Sequence, residues 1–269
     1  MPEIRKIARF RTKEGKTHYG LLTDETHLAV LDGSVYGGWK PAGKTFRLKE
    51  VTLLSPVDPG DVVAIGVNYK SHAAETGHEA PERPIIFLKA STSVIGPNEP
   101  IVLPHLTPDM VDYEAELAVI MGKTAKNVPE ERALEYVLGF TCGNDVSARD
   151  AQWKLDKQWA RGKSCDSFCP LGPWIVQGIE PDNLALRLRL NGNVMQDSNT
   201  SNMIFNVRKL VSYISHNKTL KPGDVIMTGT PDGVGGARDP QVFLKPGDTV
   251  EVEIDGIGVL KNSVRAEHV

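Results

Sequence analysis

One tripeptide recurs along this chain: Pro59-Gly60-Asp61, Pro222-Gly223-Asp224 and Pro246-Gly247-Asp248. Each opens onto a β-type run: Val62-Val63-Ala64-Ile65, Val225-Ile226-Met227, and Thr249-Val250-Glu251-Val252-Glu253-Ile254. Proline presets φ for a tight turn, and glycine takes the next position where φ must be positive, so each tripeptide predicts a turn feeding a strand. Nothing else recurs at a fixed period, so these are strand-entry turns and not a repeat architecture. Asn191-Gly192, between Leu186-Arg187-Leu188-Arg189-Leu190 and Val194-Met195, predicts a hairpin. Helical signals are few. Pro129-Glu130-Glu131-Arg132-Ala133-Leu134 opens with proline and acids, as a helix N-terminus does. Val207 to Ile214 has apolar residues at helical spacing, with Asn206 as a cap. The expectation is a β-rich α+β protein with helices as covers. Residues 1–55 read as a small N-terminal β unit, from runs such as Ile7-Ala8-Arg9-Phe10 and His18-Tyr19-Gly20-Leu21-Leu22, with a loop over Gly37 to Gly43. Residues 56–269 carry the chemistry-capable clusters and read as the catalytic domain.

Composition narrows the function classes. Lys and Arg number 31 against 34 Asp and Glu, a net charge of −3, so the basic excess of a nonspecific nucleic-acid or anionic-membrane binder is missing. No apolar run approaches the ~20 residues that span a bilayer. Met1-Pro2-Glu3-Ile4-Arg5-Lys6 leads into mixed polar residues with no signal-peptide core. Three cysteines, Cys142, Cys165 and Cys169, form no C-x-x-C pair. A reducing, cytoplasm-like compartment, or an organelle matrix, fits them.

The most informative run is Asp112-Tyr113-Glu114-Ala115-Glu116-Leu117-Ala118-Val119-Ile120-Met121. On a strand, Glu114 and Glu116 share one face while Tyr113, Ala115, Leu117 and Val119 share the other. An E-x-E pair is commonly just a solvent-facing strand edge. Here, however, Ala118 and Ile120 make the same face apolar within one residue pair. Two carboxylates at the mouth of an apolar surface repel unless a proton or cation lies between them, and a hard divalent cation suits oxygen donors. Asp145, in Gly139-Phe140-Thr141-Cys142-Gly143-Asn144-Asp145-Val146-Ser147-Ala148-Arg149-Asp150, reads either as a turn residue or as a third ligand, with Ser147 as the cap of a following helix. No imidazole or thiolate adjoins these acids, which disfavours zinc and favours Mg²⁺ or Mn²⁺.

In Tyr69-Lys70-Ser71-His72-Ala73-Ala74-Glu75, a helix would set His72 and Glu75 at i,i+3. The pair is either a surface contact or a carboxylate-oriented base able to activate water. Lys163 lies in Gln158-Trp159-Ala160-Arg161-Gly162-Lys163-Ser164, as a solvated lysine or as a partner for a carboxylate or developing oxyanion. Thr228-Gly229-Thr230-Pro231-Asp232-Gly233-Val234-Gly235-Gly236 allows close backbone approach to a ligand, but it is neither G-x-G-x-x-G nor a P-loop.

Together these runs resemble the fumarylacetoacetate hydrolase family over about residues 60 to 264. The landmarks are Gly66-Val67-Asn68-Tyr69, His72-x-x-Glu75, Phe87-Leu88-Lys89, Asp112 to Leu117, Asn144 to Asp150, Gly162-Lys163-Ser164 and Thr228-Gly229-Thr230-Pro231. The resemblance implies a mixed β-sandwich roll, a homodimer, and a Mg²⁺ or Mn²⁺ site at Glu114, Glu116 and Asp145. It implies His72 and Glu75 as the water-activating dyad and Lys163 as the active-site lysine. Gln152 and Thr230 fall on substrate-contacting positions. The longer family enzymes carry a further aspartate ligand upstream; near Asn68 none is found, as in the compact members. The expected substrate is a small 2-oxo or enol acid. The reaction expected first is C–C hydrolysis of an acylpyruvate. Oxaloacetate tautomerisation or decarboxylation, isomerisation of an unsaturated dioate, and a silent metal-binding dimeric scaffold are the alternatives.

Overall fold

Two sheets carry the fold in a computed structural model, which describes residues 3–77 and 79–267; Met1 and Pro2 of the N-terminal unit lie outside the described residues. The larger sheet has twelve strands. It runs in space from Gly38–Arg47 through His27–Ser34, Thr17–Leu22, Arg5–Arg11, Cys169–Gln177, Val137–Asn144, Ala115–Met121, Val225–Met227 and Val62–Gly66 to Ile85–Lys89. The smaller sheet, of five strands, orders Asn193–Asn199, Ala185–Leu190, Thr249–Ile254, Gly258–Ala266 and Ile101–Leu103. Most pairings are antiparallel, but Val225–Met227 lies parallel to Val62–Gly66. The protein is thus β-rich α+β with mixed sheets. No helix among the described residues is long and apolar enough to cross a membrane.

The repeated tripeptide does what its chemistry predicts, with one variation. The Asp224 and Asp248 amides donate to the carbonyls of Lys221 and Lys245, each at 3.1 Å, across Gly223 at φ 89° and Gly247 at φ 94°. Each aspartate carboxylate also accepts from the backbone amide of that lysine at 2.8 Å. Gly60 keeps negative φ; instead the Asp61 amide donates to the Asp224 carboxylate at 3.1 Å. That bond ties the first strand entry to the second and sets the two parallel strands side by side. The Asn191-Gly192 hairpin forms with both residues at positive φ, 52° and 82°, as a two-residue hairpin with matching twist requires.

Alternation along Ala115–Met121 divides the core. Leu117, Val119 and Met121 face the smaller sheet, where they pack with Leu186, Leu188, Val252 and Leu260. The helix Val207–Asn217 closes this layer with Val207, Leu210, Val211 and Ile214, and the Asn206 side chain caps it by accepting from the Lys209 amide. Ala118 and Ile120 face the opposite layer, with Ile175, Val225 and Met227.

Two local expectations fail. The Gly37 to Gly43 stretch is not loop: Gly38–Arg47 is an edge strand, because its pairing with His27–Ser34 overrides its turn-rich composition. Ser147 caps no helix. It sits in the two-residue strand Ser147–Ala148 against Val111–Asp112, and its hydroxyl donates to the Asp145 carbonyl at 2.8 Å. The following helix, Ala151–Leu155, is a π-helix capped by Asp150. The helix expected after Pro129 is present over Glu130–Tyr136, in 3₁₀ form.

Candidate active site

Glu114 and Glu116 do project from one face. Glu114 sits just before the strand Ala115–Met121, held by its amide, which donates to Asn144 Oδ1 at 2.9 Å. The antiparallel partner strand pairs Ala115 with Asn144, so Asp145 emerges beside Glu114, and the Asp145 amide donates to the Glu114 carbonyl at 2.9 Å. One carboxylate oxygen from each of Glu114, Glu116 and Asp145 lies within 4.8 Å of the others, and all three side chains are buried.

Three cations meet these acids. Lys163, at the end of the short helix Ala160–Lys163, donates to Glu114 and to Asp145, both at 2.8 Å. Lys89, ending the strand Ile85–Lys89, donates to the other Asp145 oxygen. Arg149 contacts Glu114 at 2.7 Å and Asp112 at 2.8 Å. Burial alone would raise the Glu114 carboxyl, but Lys163 and Arg149 outweigh it and hold the group below the usual carboxylate range. For Lys163, burial disfavours the ammonium, yet Asp145 and Glu114 reverse that and raise its pKa. Lys163 is thus held between Glu114 and Asp145 as their cationic partner.

Glu116 is the exception. Its carboxylate accepts one hydrogen bond, from the Gly229 amide at 2.8 Å. Burial, then Asp145 and Glu114, push its pKa well above the usual value. Nearby, the Tyr69 hydroxyl is buried with no hydrogen-bond partner among the described residues, and burial together with the Glu116 charge raises its pKa. Cys169 is a poor ligand, because burial lifts its thiol to about 12. Clustered hard oxygen donors, an under-compensated carboxylate and an unpartnered hydroxyl fit a divalent, oxygen-preferring cation.

His72 and Glu75 form a dyad on the helix Lys70–Glu75. Glu75 Oε1 lies 2.7 Å from His72 Nδ1, leaving Nε2 as the ring nitrogen free for chemistry. Glu75 Oε2 accepts from the Gly233 amide at 2.8 Å. Gly233 reaches this position at φ 96°, where an added Cβ would lie 2.2 Å from the Met195 carbonyl oxygen. The glycine-rich loop thus feeds backbone amides to the acids of the site: Gly229 to Glu116, Gly233 to Glu75, Gly235 and Gly236 to Asp112.

A cavity of about 600 Å³ joins these parts. His72, Glu75, Glu114, Lys163, Gln152 and Thr230 line it, while Glu116 and Asp145 sit behind at 1 % exposure each. Gln152 Oε1 accepts from Arg149 at 2.9 Å, and the Thr230 hydroxyl accepts from Gln196 at 2.8 Å. All eight residues singled out in the sequence come together. Sequence reasoning assigned no role to Lys89, Arg149 or Asp112. The latter two are 37 positions apart, and no local pattern links them. Val67, also on the wall, holds φ 48°, a strained conformation for a β-branched residue.

Residues 61–265 match the sequence model described as Fumarylacetoacetate (FAA) hydrolase C-terminal, and residues 5–56 match one described as Rv2993c-like, N-terminal. A mitochondrial oxaloacetate tautomerase of Xenopus laevis is 47% identical over 219 residues, 80% of this chain and 68% of that protein. The crystal structure of 5-carboxymethyl-2-hydroxymuconate delta-isomerase from Mycobacterium smegmatis superposes with a TM-score of 0.88 at 42% identity, covering 97% of this chain and all of that one. A fumarylacetoacetate hydrolase from Exiguobacterium antarcticum does so with a TM-score of 0.87 at 36% identity, covering 98% of this chain and 100% of that one.

Proposed function

This chain belongs to the fumarylacetoacetate hydrolase family, and from that premise we propose that it is a Mg²⁺- or Mn²⁺-dependent enzyme that hydrolyses a C–C bond in acylpyruvate-type 2-oxo acids. The observation that carries the reading is the His72–Glu75 pair, 2.7 Å apart on the wall of the cavity that also holds Lys163 and Glu114. Glu114, Glu116 and Asp145 would hold the cation, which when bound supplies Lewis acidity and orients the 2-oxo acid.

The protein's own groups do the rest. Glu75 holds the His72 proton on Nδ1, so Nε2 takes a proton from water, which adds to the carbonyl beyond the 2-oxo acid. The C–C bond then breaks, its electron pair passes to the 2-oxo acid fragment as an enolate, and a carboxylic acid leaves. The Lys163 ammonium stabilises the enolate oxygen, and the proton held on His72 Nε2 passes to carbon, which gives the 2-oxo acid product and restores the base. Gln152 and Thr230, which line the cavity, would contact substrate, with Arg149 donating to Gln152 Oε1 and so orienting it.

A second reading rests on the oxaloacetate tautomerase relative. The same base and ammonium would move a proton between carbon and oxygen without adding water. The cavity, about 600 Å³, has room for either kind of substrate, so turnover decides between the readings. The test compares acetylpyruvate, fumarylpyruvate and oxaloacetate after EDTA treatment, with and without added Mg²⁺ or Mn²⁺. Metal-dependent release of pyruvate from an acylpyruvate supports hydrolysis. Rapid oxaloacetate enol–keto exchange with no such release replaces it with the tautomerase. Full turnover by a verified metal-free preparation removes the metal role. The homodimer expected for the family is checked by light scattering on the purified chain.

A further inference from the structure

The cavity has an outer half that the proposed chemistry does not use. Its walls are two indoles. Trp159 meets Phe87 edge-on, with ring centroids 5.5 Å apart at 78°. It lies so close over Gly66 that an added Cβ there would sit 2.5 Å from the ring. Trp153 has the same relation to Gly236: an added Cβ would sit 2.5 Å from its ring, and the Arg149 guanidinium lies 5.1 Å from its centroid. Each indole is therefore seated on a bare stretch of backbone and backed by a second group, which fixes its plane. Trp153 is nonetheless 47% exposed, so part of its ring stays open to whatever enters the cavity.

Charge points the same way. Among the described residues lining the cavity, the only lysine or arginine side chains are Lys163 and Arg149, and both are committed to buried acids. Of the other acids lining it, Glu75 is held by His72 and the Gly233 amide, and Glu79 is exposed. A carboxylate at the far end of a substrate would meet Glu79 with no uncommitted lysine or arginine among the described lining residues to balance it.

We propose that this outer half is a subsite for an apolar, flat group, so that the acyl end is aryl or similarly conjugated rather than a second carboxylate, with Trp159 and Trp153 setting that preference. The inference rests on the 2-oxo acid reading above but not on which reaction follows.

Two measurements on the Mn²⁺-loaded protein separate the two claims. The first is equilibrium binding, by intrinsic tryptophan fluorescence, of 4-phenyl-2-oxobutanoate and 2-oxoglutarate, neither of which has an acyl bond to hydrolyse. The phenyl compound should bind about tenfold tighter or more. The second is the ratio of kcat/KM for benzoylpyruvate to that for fumarylpyruvate. Trp159→Ala should lower both preferences by about tenfold, and Trp159→Phe should retain them. Where Trp159→Ala fails to fold, Trp153→Ala, at the exposed ring, carries the same test. A binding preference without hydrolysis sustains the subsite and removes the hydrolase reading. Equal or tighter binding of 2-oxoglutarate, or preferences unmoved by both tryptophan variants, overturns the subsite.

Discussion

Glu75→Gln is the sharpest probe of the dyad, because it changes one atom and removes one charge. In the native site Oε1 accepts from His72 Nδ1 at 2.7 Å and Oε2 accepts from the Gly233 amide at 2.8 Å. Glutamine offers a single acceptor oxygen. Turned toward His72, it faces its own NH₂ against the Gly233 N–H, donor against donor. Turned toward Gly233, it presents the NH₂ to Nδ1, which moves the imidazole proton to Nε2 and blocks the base. A hydrogen bond to a charged group is worth about 1.5–3 kcal/mol. Losing one, together with part of the correct tautomer, raises the barrier by about 2–4 kcal/mol, or about 30- to 10³-fold in kcat at 1.36 kcal/mol per decade. The assay is steady-state pyruvate release from an acylpyruvate, with Mn²⁺ affinity and Tm measured in parallel. KM, metal affinity and fold should change little, since Glu75 lies outside the acidic triad. His72→Ala and Glu75→Ala should combine non-additively, as parts of one unit do. A Glu75→Gln enzyme with native kcat and pH profile would refute the reasoning.

Three further outcomes follow from the geometry. Glu116→Gln keeps an acceptor for the Gly229 amide while relieving repulsion from Glu114 and Asp145, so Tm of the metal-free protein should rise by a few degrees while Mn²⁺ affinity falls by about 100-fold; a lower Tm with native Mn²⁺ binding contradicts this. Gly235→Ala places a Cβ 1.8 Å from the Val242 carbonyl oxygen and 2.7 Å from Asp112 Oδ1, and should cost about 1–3 kcal/mol in urea unfolding; an unchanged midpoint would show that the loop relaxes freely. Burial raises all three thiol pKa values, Cys169 to about 12, but only Cys165 is partly exposed, so native protein should react with a disulfide reagent only at Cys165, whereas stoichiometric labelling of Cys142 within minutes would be incompatible with its buried position.

Local chemistry alone determined several parts of this molecule. The strict period of two along a strand sent Glu114 and Glu116 to one side and Leu117 and Val119 to the other. Proline and glycine dihedrals set the turns before Val225–Met227 and Thr249–Ile254, Asn191-Gly192 set a hairpin, and helical spacing joined His72 to Glu75. Each of these depends on residues within a few positions of one another. Tertiary pairing decided the rest. Asp145 stands beside Glu114 because the register pairs Ala115 with Asn144. Lys163, Lys89 and Arg149 reach the acids from separate elements, which gives Glu114 and Glu116 opposite pKa shifts although they lie two residues apart on the same face. The glycine-rich loop lines the cavity through Thr230, Val234, Gly236 and Ala237, as its small residues allow, but tertiary contact directs its amides to Glu116, Glu75 and Asp112. Strand pairing likewise turned Gly38–Arg47 from loop into edge strand. A dihedral preference or a face is written in neighbouring residues, whereas the charge around a carboxylate depends on which distant segments the sheet brings within about 4 Å, where Coulomb interactions are strongest.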